Sequence, residues 1–230
     1  MPNEHDNVVK TMKHIAIFGG TFNPIHLGHI KVACDLQEHF KFDKFIFLPN
    51  KSPVMDKITT VSLTDRLEML RLALASYPAF TIDEREINRP TPSFMVETLS
   101  SIREDLGNEK MAISLIIGMD SFLQFHRWCD WQKILTLCNL IVLERKGHVK
   151  SLPLLLEEAQ KKGEINLIEN EAQLVNGTSG GYFFYNAGLY DVSSTTVREL
   201  LKSGEDASLF LTLPVKNYIE RNGLYGANKF

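Results

Sequence analysis

Apolar positions along the chain change their period again and again, and each change marks a switch between strand and helix. His14–Phe18 (HIAIF) is a short apolar run that ends at Gly19-Gly20. Through Gly28–Phe40, Ile30, Ala33 and Cys34 recur at helical spacing. Lys44–Leu48 (KFIFL) is a second strand, stopped by Pro49-Asn50. Thr64–Ser76 is an amphipathic helix with the stripe Leu67, Leu70 and Leu74, Met69 beside it, and Ser62 or Thr64 as its cap. Phe80–Ile82 is a third strand, and Ser93 is expected to cap a helix reaching Leu106, with Gly107 just beyond. Ala112–Ile117 (AISLII) is a strand of the fully buried type, closed by Gly118.

Asp130–Leu137 follows as a helix, Leu140–Leu143 as a strand, Leu152–Lys162 as a helix ended by Gly163, and Ile165–Ile168 as a strand. The polar, Gly-rich stretch Asn170–Gly181 reads as a loop. Tyr182–Tyr185 is a strand and Tyr190–Val192 leads into one more. Ser193 or Ser194 caps a helix to Ser203 with Gly204 as its stop, and Pro214–Asn222 is the last helix. Parallel strands need crossover helices, and this alternation supplies them. The expected fold is α/β: a doubly wound, Rossmann-like open parallel sheet with helices on both faces and a small C-terminal helical part. Residues 1–12 read as a flexible N-terminal tail and residues 13–230 as a single domain.

Composition narrows the class. The chain has 230 residues, 44% hydrophobic and 23% charged, as in an ordinary globular protein and unlike a disordered one. Lys and Arg number 25 against 28 Asp and Glu, a net charge of -3, so no basic excess points to a nucleic-acid partner. The three cysteines, Cys34, Cys129 and Cys138, form no C-x-x-C pair and no zinc-like array. A disulfide framework is therefore not expected, and a reducing, cytoplasmic setting fits best. The segment MPNEHDNVVK lacks the apolar core of a secretory signal, and no apolar run approaches 18 residues, so no membrane partner is expected. The oligomeric state is left open.

The chemistry gathers in Ile15–His29 (IAIFGGTFNPIHLGH), where a strand runs into two glycines and a helix begins some residues later. In a parallel sheet this junction lies at the carboxyl ends of the strands, where ligands bind. Glycine lets the backbone approach a phosphate, and the free N–H groups of a helix start favour an anion. Neither G-x-G-x-x-G nor G-x-x-x-x-G-K-[ST] is present. Instead His26 and His29 sit three apart, on one helical face, with Gly28 leaving space between them. Both imidazoles can donate to phosphate oxygens. No Asp, Glu or Cys in this segment completes a metal site around them. A second anion site is expected at Ser193-Ser194-Thr195, where a hydroxyl caps a helix start and Arg198 adds a cation. Asp120, just after a buried strand, is placed to accept hydrogen bonds at the ligand edge or to cap the next helix, and Trp128 either offers an aromatic face there or joins the core, with Trp131 the expected core member.

GGTFNPIHLGH resembles the signature of the nucleotidyltransferase superfamily with the His-x-Gly-His motif, and more narrowly that of the bacterial nicotinate-nucleotide adenylyltransferases. Val192-Ser193-Ser194-Thr195-Thr196-Val197-Arg198 is similar to the superfamily's second signature, Ile-Ser-Ser-Thr-x-x-Arg, with Val192 for Ile. The likeness spans about Lys13 to Tyr225. It implies adenylyl transfer from ATP to nicotinate mononucleotide, giving deamido-NAD and pyrophosphate, with Mg²⁺ arriving on the ATP phosphates and no protein metal site. It implies that Gly19, Gly20, Thr21, Phe22, His26, His29, Ser193, Ser194, Thr195 and Arg198 serve ATP, with His26, His29 and Arg198 acting in catalysis. It also implies that Asp120 binds ribose, Trp128 stacks on the pyridine, and the start of the Ser93 helix lies near the pyridine carboxylate.

Two departures concern the acceptor. Phe94 and Met95 replace the family's Tyr and Thr, and of Pro-Pro-His-Lys only a terminal cation, Lys57, is kept. Nicotinamide mononucleotide therefore stays open as an acceptor, with phosphopantetheine and a cytidylyl-transfer substrate more remote. A non-catalytic nucleotide-binding regulator on the same fold is the reading from another class.

Overall fold

In the computed structural model the described residues are 12–51, 61–90, 93–144, 152–177, 179–186, 188 and 192–227. The expected tail, apart from Met12, lies outside them, as do Lys57 and most of the strand expected at Tyr190–Val192. In chain order the elements are β1 (Lys13–Gly20), α1 (Leu27–Phe40), β2 (Lys44–Pro49), α2 (Leu63–Leu74), β3 (Phe80–Ile82), α3 (Arg85–Asn88), α4 (Met95–Leu106), β4 (Met111–Gly118) and α5 (Met119–Leu123). Then come α6 (Trp131–Leu137), β5 (Asn139–Leu143), α7 (Leu154–Lys161), β6 (Asn166–Leu167), α8 (Glu171–Asn176), β7 (Gly181–Tyr185), α9 (Ser194–Ser203) and α10 (Leu213–Asn222).

The strands form one 7-stranded sheet in the order β3-β2-β1-β4-β5-β7-β6, and every pairing is parallel. Sheets of this kind are covered on both faces, which is why β1, β2 and β4 read as unbroken apolar runs. Alternate residues of each strand feed two cores. Ala16, Phe18, Phe45, Phe47, Ile116 and Ile141 face α1, α2, α9 and α10. Ile15, Ile17, Ile46, Leu48, Leu115 and Ile117 face α4, α5, α6 and α7. The chain order reverses between β1 and β4, so the loops after these two strands open a crevice at the carboxyl edge, where α/β sheets take ligands.

The C-terminal helical part bonds to the first two helices. Tyr218 of α10 donates to Asp65 Oδ1 of α2 at 2.9 Å, and Leu27 N–H, the first of α1, donates to the Phe210 carbonyl at 2.8 Å. Helix α9 stops at Gly204, whose φ of 76° suits a residue without a side chain.

Three expectations are corrected. Ser93 does not cap α4; Phe94 occupies the cap position, and the Ser93 hydroxyl instead accepts from Lys51 N–H at 3.0 Å. Asn170–Gly181 is not all loop, because Asn170 accepts from Gln173 N–H at 3.0 Å and so starts α8, which buries Leu174 and Val175. Trp131 is no more buried than Trp128: both are half-buried, leaning on the fully buried Phe125.

Phe47 is the hub of the first core. It is fully buried and its ring lies 5.5–5.7 Å from those of Phe18, Phe22, Phe45 and Phe80. Removing a buried phenyl costs about 3–5 kcal/mol. Phe47→Ala is expected to lose that much in a denaturant titration, and a loss below about 1 kcal/mol would show that the ring cluster does not hold the sheet to its helices.

Candidate active site at the sheet's switch point

The loop between β1 and α1 has no regular partner for its carbonyls, and side chains from distant elements supply one each. Arg66 of α2 donates from Nη1 to the Thr21 carbonyl at 2.7 Å. Arg198 of α9 donates from Nη1 to the Asn23 carbonyl at 2.8 Å, and Ser194 donates to the Pro24 carbonyl at 3.0 Å. Tyr225 closes the same turn from the C-terminal end, its hydroxyl donating to Asn23 Oδ1 at 2.6 Å. Burial pushes the Tyr225 phenol pKa up, and the cations of Arg198 and Arg66 pull it back, so both guanidinium groups act on one point. Asn50, at the end of β2, adds a bond from Nδ2 to Thr21 Oγ1 at 3.2 Å, and its N–H donates to the Gly20 carbonyl at 3.1 Å.

His26 is the N-cap of α1, extended at φ -143°, and His29 lies in the first turn. His26 N–H donates to His29 Nδ1 at 3.3 Å. The two rings stack, with centroids 3.6 Å apart and planes 30° apart. His26 is 5% exposed and His29 half-buried, with its ring against Phe22 and Phe18. Phe22 is buried and takes a positive φ of 46°, rare for a side chain of that size. Gly28 leaves room beside the His26 ring and, on the same account, for Val192. A Cβ there would fall 2.6 Å from Val192 Cγ1 and 3.0 Å from His26 Nδ1. Its bare backbone lets the chain before α9 pack directly on the start of α1, so the two sequence motifs are in contact.

Ser193 caps α9, accepting from Thr196 N–H at 3.0 Å. Thr195 is exposed and accepts from Arg198 Nη2 at 3.0 Å. Ser194 and Arg198 are tied to the first loop as described, and the guanidinium keeps N–H groups over for a ligand.

Met95 opens α4 with its methyl over the loop after β1, 3.4 Å from where a Gly19 Cβ would stand. Phe94 is half-buried beside it. Ser93 is held from below by Glu86, a 2% exposed carboxylate that also accepts from Thr98 Oγ1 at 2.8 Å. Burial pushes the Glu86 carboxyl up, and the hydroxyls of Thr98 and Ser93 and the charge of Arg89 oppose that. Asp120 is exposed in the first turn of α5, directly after β4, on the same sheet edge as Gly19-Gly20. Trp128 follows the turn Phe125–Arg127, its ring 5.4 Å from Phe125. Topology thus puts Asp120 and Met95 at the crevice with the histidines, with Trp128 shortly after Asp120 in the chain. Among the described residues no group of three or more His, Cys, Asp or Glu could hold a metal ion.

Sequence reasoning missed Arg66 and Glu86. Arg66 lies on the buried stripe of α2 with Met69, Leu70 and Ala73, at spacings of three, four and seven. A charge in phase with an apolar stripe was the available signal.

A glycine-cornered loop and paired histidines at the switch point of an open parallel sheet make this a nucleotidyltransferase-type α/β protein. A model of cytidylyltransferase-like proteins matches residues 17–200. A Legionella pneumophila (strain Corby) protein named "Probable nicotinate-nucleotide adenylyltransferase" is 42% identical over 219 residues, 93% of this chain and 100% of that one. A Yersinia enterocolitica protein of the same name is 36% identical, covering 98% of this chain and 99% of its own. The chain belongs to the cytidylyltransferase-like family and, within it, to the nicotinate-nucleotide adenylyltransferases. Its fold is shared by the Plasmodium falciparum nicotinic acid mononucleotide adenylyltransferase complexed with NaAD, at 19% identity and a TM-score of 0.70, covering 94% of this chain and 98% of that one.

Overpacking a closed contact costs about 1–3 kcal/mol. Gly28→Ala is expected to lose that much, whereas Gly118→Ala, with nothing within 4 Å of its Cβ, should stay within about 0.5 kcal/mol of the parent. Equal midpoints for the two variants in urea would refute the contact.

Proposed function

We propose that this chain transfers the adenylyl group of ATP to nicotinate mononucleotide, giving deamido-NAD and pyrophosphate. The 5′-phosphate oxygen of the mononucleotide attacks the α-phosphorus in line, a new P–O bond forms, and the bond to the β-phosphate oxygen breaks as pyrophosphate leaves. The nucleophile is already anionic, so no general base is required. Catalysis rests on positioning and on donors aimed at the charge that develops.

His26 and His29 donate to phosphate oxygens, with loop N–H groups from Gly20 to Phe22. The remaining donors of Arg198, with Ser194 and Thr195, take the β- and γ-phosphates, while Ser193 fixes the helix start. Asp120 accepts from the ribose of the mononucleotide, Trp128 stacks on its pyridine, and Phe94, Met95 and Lys57 complete that side. Mg²⁺ arrives with ATP, held by phosphate oxygens and water; no step is derived through it. Residues 13–230 act as one domain, since α9 and Tyr225 close the loop that β1 begins. Three free thiols fit work in a reducing compartment, the cytoplasm.

The observation that carries this reading is that Ser194 and Arg198 of α9 both bond to Asn23–Pro24, the turn from which the chain runs directly into α1. Relatives that bear the activity's name over their full length support it. Met95, which has no hydroxyl, keeps nicotinamide mononucleotide as a second acceptor.

Pyrophosphate release from ATP is expected with nicotinate mononucleotide and to a lesser degree with the amide. ATP binding with no release on any mononucleotide would replace this reading by that of a nucleotide-binding regulator. Losing one transition-state donor costs about 10²–10³-fold in rate. His29→Ala should therefore lower kcat by about that factor with its circular dichroism unchanged, and near-normal turnover would remove His29 from the chemistry.

A further inference from the structure

We infer that Arg66 is the positioning residue of the phosphate loop: by gripping the Thr21 carbonyl from beneath, it aims the Phe22 N–H at the ATP phosphates. The inference rests on the adenylyl-transfer reading. Arg66 is 2% exposed, yet its guanidinium bonds to main chain on two loops. Nη1 donates to the Thr21 carbonyl at 2.7 Å, and Nη2 donates to the carbonyls of Asn50 and Lys51 at 3.0 and 2.9 Å.

In a trans peptide the C=O and N–H point in opposite directions. Holding the Thr21 oxygen toward α2 therefore turns the Phe22 N–H to the opposite face of the loop. The Arg66 face is closed by protein, so a phosphate can approach only from the other. The same logic is visible at the second loop. Arg66 holds the Asn50 carbonyl, and the following N–H, that of Lys51, points away and donates to Ser93 Oγ at 3.0 Å. Among the described residues no carbonyl accepts from Phe22 N–H.

Arg66 thus joins both sides of the crevice. Its bonds run from Thr21 on the phosphate side through Lys51 to Ser93, which is held by Glu86 at the start of α4. The planar fork matters, since Nη1 serves one loop and Nη2 the other in a fixed geometry, whereas an ammonium has a single nitrogen. The positive φ of Phe22 gives the grip something to hold, a backbone shape the residue would not keep unaided.

The test compares the parent with Arg66→Lys. Losing a hydrogen bond to a charged group weakens binding by about 10–10²-fold. The variant is expected to bind a methylene-bridged ATP analogue about 10–10²-fold more weakly by calorimetry. Its KM for nicotinate mononucleotide should stay within about twofold, because Arg66 reaches the start of α4 only through Lys51, and Ser93 there keeps its bond to Glu86. A folded variant with unchanged analogue affinity, or with both substrates weakened alike, would overturn the assignment, because plain destabilisation lowers the active fraction without separating them. The parent gives a second readout that no variant's folding can spoil: the Phe22 amide resonance should move when the analogue is added. A shift at His29 with none at Phe22 overturns the inference alone, whereas no analogue binding by the parent overturns it together with the function on which it rests.

Discussion

Backbone carbonyls in an irregular loop must find donors, because leaving one buried and unpaired costs as much as a lost hydrogen bond. The loop after β1 meets that demand from outside itself. Thr21, Asn23 and Pro24 give their oxygens to Arg66, Arg198 and Ser194, from helices far apart in the chain. Two of these three bonds have a charged donor, the kind worth about 1.5–3 kcal/mol each. Satisfying the loop therefore also fixes where α2 and α9 stand, and it carries their positive charge to the sheet's switch point. The bonds that satisfy the loop also bring two cations to one point of the sheet edge.

The fold prepares this meeting. Parallel strands force each connection over a face of the sheet, so the loops at the carboxyl edge come from different crossovers and can converge. The reversal between β1 and β4 leaves the crevice open where Gly19-Gly20 and Gly118 end their strands. Helix α1 can then start close to α9 only because Gly28 has no side chain. The C-terminal helical part closes the back of the same loop through Tyr225 and Phe210. Length beyond a minimal sheet is thus spent on holding one turn.

Most of the fold was legible because its signals are local. Strands β1, β2 and β4 are continuous apolar runs, and α9 has a hydroxyl cap and a glycine stop. The His26–His29 pair was legible as a motif, yet its geometry was not: the rings stack on each other, and Gly28 serves Val192. Ser93 misled because a serine before a helix has the look of a cap, while its hydroxyl was taken by Lys51 and Glu86 from other elements. Arg66 passed as one more charge on an amphipathic helix. Its partners are main-chain oxygens, which carry no residue identity and leave no trace in a sequence.

A net charge of -3 gives ATP no general attraction to this surface. What favours a polyphosphate must be local, and local charge works best where it is already oriented. Arg66 and Arg198 are held by main-chain oxygens before any ligand arrives, and the histidines are held by each other and by Phe22. Few side chains here have to be ordered at the moment of binding, so little rotamer entropy is lost then. The ordering took place on folding, where the same bonds satisfied a loop that could not satisfy itself. A mildly acidic protein can thus bind a tetra-anion with a handful of donors, provided that the fold has already placed them.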